Sequence, residues 1–148
     1  MDVLTPDQRR YNMSRIRGKD TKPEMLLRRG LHAKGLRFRL YVRDLPGRPD
    51  LVFPRYRAVV LVHGCFWHGH DCPLFKLPAT RQEFWAVKIA GNRARDQHTM
   101  SALIALGWRV LTVWECSLKG RARRPLDEVL DKCVAFITGD ARAAEIGT

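Results

Sequence analysis

Three soft side chains fall within eight residues of this chain, as Cys65-x4-His70-x-Cys72, and a fourth, Cys116, lies well downstream. A closed Cys/His shell around zinc is tetrahedral and leaves no position for water. Such a set constrains the fold strongly, because the loop after residue 64 and the segment around residue 116 must then meet. Cys65, His70, Cys72 and Cys116 are therefore expected to hold a structural zinc. His63 and His68 lie beside and inside the cluster and are not needed to complete it. His68 is the alternative ligand to His70. His70 is preferred because it leaves one residue before Cys72 and frees His68 beside Phe66-Trp67.

The metal reading depends on a reducing compartment, since thiols that stay reduced bind metal more often than they pair. The start, Met1 to Asp7, has no apolar stretch of signal-peptide type, and the apolar run Ala58 to Val62 is too short to span a bilayer. A cytoplasmic protein without a membrane segment is expected. Cys133 falls in a helical pattern and reads as a small core residue. Twenty-seven Lys and Arg against fifteen Asp and Glu give a net charge of +12, which points to a polyanionic partner, with nucleic acid the first choice. The apolar fraction of 45% is that of a folded chain, and 148 residues suffice for one domain, so a single domain over 1–148 is expected.

Along the chain, Thr5-Pro6 opens a short helix over about 5–17. Thr21-x-x-Glu24 reads as a capping box for a second helix, which Gly35 ends. Leu36 to Val42 alternates apolar and polar, as a half-buried strand does. Asp50 to Phe53 begins another strand, Pro54 to Arg57 turns the chain, and Ala58 to Val62 is a strand buried on both faces. After the metal loop, Thr80-Arg81-Gln82-Glu83 reads as a second capping box, for a long helix reaching about Leu106. Trp108 to Trp114 is a strand, Pro125 to about Ile137 a helix, and about 139–148 a flexible tail. The order α-α-β-β-β-α-β-α predicts an α/β fold, a mixed central sheet flanked by helices.

A four-residue turn at Pro54 to Arg57 sets Asp50 opposite Leu61 and puts His63 on the same face as Asp50. Diagonal neighbours of this kind are about 7–8 Å apart, near enough to share a phosphate or a hydrated cation. A carboxylate at a strand start suits Mg²⁺, which takes few protein ligands and keeps its waters; the plainer reading is that Asp50 only ends a loop. His68, with a ring that titrates near neutrality, is the candidate general base. Phe66-Trp67 offers two large aromatics inside a metal-held loop, suited either to packing round the metal or to stacking on and unstacking bases. Trp85, Lys88, Asn92 and Arg95 recur at helical spacing and share one face, which is DNA-facing or, for the two cations, merely solvated.

Asn12-Met13, Thr21-x-x-Glu24, Leu45-Pro46-Gly47-Arg48-Pro49-Asp50, His63-Gly64-Cys65-Phe66-Trp67-His68, Pro78-Ala79-Thr80-Arg81, Glu83-Phe84-Trp85 and Trp114-Glu115-Cys116 together resemble the very-short-patch-repair (Vsr) DNA mismatch endonucleases. The resemblance runs from about Arg10 to Gly120. It implies a restriction-endonuclease-like core that nicks one DNA strand 5′ of the thymine in a T·G mismatch left by deaminated 5-methylcytosine, starting very short patch repair. It further implies Mg²⁺ on Asp50 and the backbone carbonyl of Val62, His63 and His68 as catalytic, and Glu24 as an accessory acid. Zinc would sit on Cys65, His70, Cys72 and Cys116. Phe66, Trp67 and Trp85 would enter the helix beside the mismatch, Met13, Lys88 and Asn92 would lie near the mismatched pair, and the helix over about 5–17 would contact DNA. A monomer is implied, with other repair proteins as further partners.

One departure matters. Restriction-type nucleases carry Glu-x-Lys on the strand after their Asp, whereas here that strand reads Ala58-Val59-Val60-Leu61-Val62. Lysine is thus excluded as the base, and the weight falls on His68. A non-catalytic zinc-bound DNA-binding protein is the rival reading. It would need the cluster, the charge and the aromatics, but not Asp50, His63 and His68 in one place.

Overall fold

The computed structural model describes residues 20–148; the helix expected over 5–17, and Met13 with it, lies outside them. Helix α1 (Lys22–Ala33) starts as the capping pattern predicts, with the Thr21 side chain accepting from the Glu24 N–H at 3.4 Å. Glu24 reaches one residue further back than a capping box requires, accepting from the Asp20 N–H at 3.1 Å. Leu27 and Leu31, one turn apart, are fully buried.

Strand β1 is Arg39–Leu40 alone, much shorter than the expected Leu36 to Val42. The alternating pattern is interrupted because Tyr41 takes a left-handed backbone (φ 49°), with its hydroxyl bonded to Glu24 and to the Asp20 N–H, the latter at 2.9 Å. Strand β2 (Leu51–Phe53) runs antiparallel to β1 and turns through a short 3₁₀ segment, Pro54–Tyr56, into β3 (Ala58–His63). The β2–β3 register pairs Leu51 with Val60 and Phe53 with Ala58, so one further step sets Asp50 opposite Leu61, as the turn length predicts.

Helix α2 (Gln82–Ala105) then crosses to β4 (Arg109–Trp114), which is parallel to β3 with His63 beside Trp114. Thr80 does not cap α2. Arg81 precedes the helix in a left-handed conformation (φ 56°), its guanidinium over the Phe84 ring at 4.4 Å, and its side chain bonds no first-turn N–H. Helix α3 (Leu126–Thr138) leads to β5 (Ala143–Ile146), which is parallel to β4. The stretch expected to be a flexible tail is therefore an ordered strand, with Ile146 in the core. The reason it escapes notice is that Ala143-Ala144-Glu145-Ile146 has neither β-branched bulk nor clear alternation until its last residue.

Among the described residues the sheet has five strands in the order β1-β2-β3-β4-β5, antiparallel on one side and parallel on the other. Alternate residues face opposite ways. Leu51, Phe53, Val60, Leu111 and Val113 pack on Leu27 and Leu31 of α1 and on Val129, Cys133 and Ile137 of α3. Val52, Val59, Leu61 and Val110 pack on Leu103 of α2. The result is an α/β/α arrangement in which His63, sharing parity with Val59 and Leu61, faces α2. None of the described helices is long and apolar enough to cross a membrane.

Candidate active site and metal centre

The loop leaving β3 folds back on itself at once: the His68 N–H bonds the Gly64 carbonyl at 3.2 Å and the His70 N–H the Cys65 carbonyl at 2.9 Å. Gly69 closes the turn with φ +62°, so close to α2 that a Cβ would sit 2.6 Å from Ile89 Cγ2. Only glycine combines that backbone angle with that approach. The turn brings His70 and Cys72 next to Cys65, while the 3₁₀ segment Glu115–Ser117 after β4 delivers Cys116. Candidate ligand atoms of Cys65, His70, Cys72 and Cys116 all lie within 4.8 Å of one another.

The donor set fits a tetrahedral N/S metal. His70 Nδ1 is 3.6 Å from Cys65 Sγ and 3.5 Å from Cys116 Sγ. Bonds of about 2.3 Å to sulfur and about 2.05 Å to nitrogen at the tetrahedral angle require a separation of about 3.6 Å. Burial pushes the His70 ring toward its neutral, ligating form and drives the Cys65 thiol pKa far up, so a thiolate there needs a cation beside it. The Cys116 N–H points at Cys65 Sγ from 3.3 Å, and His70 lies flat against Trp114 (centroids 4.0 Å, planes 6° apart). Cys133 is fully buried in α3 and outside this cluster, as its helical pattern predicts.

His68 points the other way, toward α2, where its Nδ1 is 2.5 Å from Asp96 Oδ2. His63 stacks on it, with centroids 3.9 Å apart and planes within 3°. Burial, with the neighbouring His68 adding to it, lowers the His63 pKa to about 4, so this ring is neutral at physiological pH. Asp96 is a residue that sequence reasoning missed. It lies four positions beyond Asn92, on the stripe that carries Trp85, Lys88 and Asn92, and is its one carboxylate.

On the far side of the histidines, the Asp50 carboxylate accepts the Val62 N–H at 2.7 Å. The Val62 contact seen is thus its amide rather than its carbonyl. Burial is the main reason that the Asp50 pKa rises to about 7, and the negative charge of Glu24 adds to it. Glu24 is itself buried, held by the Asp20 N–H, the Tyr41 hydroxyl and Arg28, whose Nη2 is 3.3 Å away. Arg28 and Tyr41 were also missed; Arg28 was detectable as the (i, i+4) partner of Glu24. Two acids crowded in a buried corner favour a divalent cation between them. A cleft of about 510 Å³ joins Glu24 and Val62, whose N–H bonds Asp50, to His63, His68 and Trp67.

Phe66 and Trp67 line that cleft. Phe66 and Trp67 meet Trp85 edge to face at 5.4 and 5.8 Å, and Phe66 also packs on Phe75. All three site aromatics are half-buried, which leaves part of each ring outward. Asn92 Nδ2 donates to the Trp67 carbonyl at 2.8 Å, tying α2 to the metal loop. Lys88 stands exposed on α2 beside Val87.

A family model described as "DNA mismatch endonuclease Vsr" matches residues 1–74. The chain is similar to the type II nicking enzyme V.XorIIP of Xanthomonas oryzae pv. oryzae, 52% identical over 132 residues that cover 88% of this chain and 97% of that protein. It is also similar to the DNA mismatch endonuclease Vsr of Escherichia coli, 46% identical over 147 residues, covering 99% and 94%. The type II nicking enzyme V.NmeAIP of Neisseria meningitidis is 40% identical over 121 residues, covering 82% and 86%.

Proposed function

The chain belongs to the Vsr family of DNA mismatch endonucleases, and we propose from that premise that it nicks one strand of duplex DNA 5′ of the thymine in a T·G mismatch. In this reading it works as a Mg²⁺-dependent monomer in the cytoplasm and starts very short patch repair with other repair proteins. The observation that carries the reading is one cleft lined by Glu24, by Val62, whose N–H bonds the Asp50 carboxylate, by the carboxylate-held His68 and by Phe66 and Trp67.

Asp50 and the Val62 carbonyl would hold the Mg²⁺, with Glu24 near its waters; the cation, when bound, neutralises charge on the reacting phosphate. His68 takes the proton of the attacking water at Nε2, because Nδ1 is occupied by Asp96. Asp96 fixes the ring orientation and favours the imidazolium that forms. His63, neutral because it is buried, contributes a hydrogen bond rather than a charge. Phe66, Trp67 and Trp85 wedge between base steps, where a mismatch makes unstacking less costly. Met13, Lys88 and Asn92 act near the mismatched pair. Cys65, His70, Cys72 and Cys116 hold zinc, which keeps the His68 loop and the Trp67 wedge in a fixed relation.

The test is a nicking assay with Mg²⁺ on end-labelled duplexes carrying each of the possible mismatches. A single cut 5′ of the mismatched thymine, strongest on T·G, is expected. Binding of T·G duplexes without any cut would leave the zinc-bound DNA reader instead.

A further inference from the structure

Three donors converge on a single oxygen of Glu24. The Asp20 N–H at 3.1 Å, Arg28 Nη2 at 3.3 Å and the Tyr41 hydroxyl all reach Oε2, and no hydrogen bond from a described residue reaches Oε1. The side chain is only 4% exposed, yet Glu24 lines the cleft that His63 and His68 also line. The direction of the Tyr41 contact follows from its other neighbours. Its oxygen accepts from the Asp20 N–H at 2.9 Å and from Arg28 Nη2 at 2.6 Å. A phenol has one proton to give, and with both those N–H groups pointing in, that proton goes to a carboxylate. Glu24 Oε2 and Asp20 Oδ1 are in reach, and Glu24 is the nearer. Tyr41 holds this place in a left-handed backbone, φ 49°, which residues with a Cβ rarely adopt and which ends β1 after two residues. Such a conformation persists only where its surroundings hold it, and it gathers at functional sites. Capping α1 does not require it, because Thr21 already accepts the Glu24 N–H.

We propose that Tyr41 is a positioning residue for Glu24: its hydroxyl clamps Oε2, so that Oε1 is presented to the cleft as an acceptor for water on the divalent cation of Asp50. Mg²⁺ takes few protein ligands and keeps several waters, so a carboxylate that never touches the ion still orients it through those waters. Outer partners of this kind are typically worth ten- to a hundredfold in metal affinity. Arg28 and the Asp20 N–H share the clamp, but Tyr41 alone brings to it a group from outside α1 and its cap. The inference rests on the endonuclease reading for the cation, and on the hydrogen bonds to Oε2 for the clamp.

The experiment compares zinc-loaded full-length wild type with Tyr41→Phe, Glu24→Gln, the double variant and Thr21→Ala. Mn²⁺ alone is the probe, its binding read from the electron paramagnetic resonance signal of the free ion, and single-turnover nicking of a T·G duplex is followed across a Mg²⁺ series. Tyr41→Phe keeps the ring and loses only the hydroxyl. It should weaken Mn²⁺ binding about fivefold to tenfold, toward the lower end for an outer partner, and move the Mg²⁺ midpoint of nicking by the same factor with DNA affinity unchanged. The double variant should bind Mn²⁺ no more weakly than Glu24→Gln, because Tyr41 acts through Glu24. Thr21→Ala, which loosens the start of α1 without touching Oε2, should melt lower yet bind Mn²⁺ as wild type does. Unchanged Mn²⁺ binding in Tyr41→Phe, additive losses in the double variant, or an equal loss in Thr21→Ala would each overturn the proposal, as would a wild type that binds no Mn²⁺. A wild type that binds Mn²⁺ and nicks nothing would remove the endonuclease reading alone, because the binding comparison needs no turnover.

Discussion

Asp96→Asn keeps the size and shape of the side chain opposite His68 while removing its charge. In the native pair, Nδ1 and Oδ2 are 2.5 Å apart, a short charge-assisted contact once the ring is protonated. Hydrogen bonds to charged groups contribute about 1.5–3 kcal/mol, and each ~1.4 kcal/mol is tenfold in rate. Solvent reaches both partners, whose side chains are 25% and 28% exposed, so the lower half of that range applies. Asn also has two faces: its oxygen can accept from Nδ1–H as the carboxylate does, but its NH₂ would impose the wrong tautomer. The expected loss is roughly 10- to 30-fold in single-turnover nicking of a T·G duplex. That is less than the ~10²–10⁴-fold expected on removing a general base outright with His68→Ala. Zinc content and melting temperature should stay close to wild type, because Asp96 lies outside the Cys/His cluster. A rate within twofold of wild type would refute the orienting role, and a loss of metal in parallel with rate would make Asp96 structural.

Asp50→Asn should abolish nicking while leaving T·G binding in place; and because burial holds the Asp50 pKa near 7 in the metal-free chain, Mg²⁺ should raise the melting temperature of the wild type but not of the variant. Cys116→Ser should lower zinc content and destabilise the whole domain, since ligation of this kind is part of the folding free energy. Cys133→Ser, outside the cluster, should keep its zinc and cost far less; zinc retained in Cys116→Ser would sink the ligand assignment. Trp85→Ala should narrow the preference for mismatched over paired duplex with little change in the salt dependence of binding, and equal losses on both duplexes would make Trp85 a packing residue only.

The parts of this chain that were legible beforehand are those where chemistry or steric demand is concentrated in few residues. Cys65, His70 and Cys72 fall together because their spacing matches one tight turn of loop closed at Gly69, and Asp50 falls opposite Leu61 because a Pro-initiated turn of four residues leaves no other register. The parts that were not legible depend on partners distant in sequence. Asp96 meets His68 across 28 positions, and on its helix it looks like one more polar residue among arginines. Tyr41 leaves β1 because of a hydrogen bond to Glu24, 17 residues earlier, which no local propensity foreshadows. Thr80 satisfies the capping pattern by composition, yet Arg81 takes the position before α2, preferring the face of Phe84 to any cap. β5 is held by its parallel neighbour rather than by its own residues, and a strand of that kind leaves almost no mark in sequence.

Cys65 and Cys116 follow the ends of two parallel strands and stand 51 positions apart. Parallel strands need a long crossover, here the whole of α2, and the chain must find that pairing with nothing local to guide it. A metal held by both would shorten the search, much as a covalent link across a loop of this length would be worth about 4 kcal/mol of chain entropy. The β2–β3 hairpin and α2 can form from neighbours, whereas the β3–β4 pairing that brings Cys65 to Cys116 cannot.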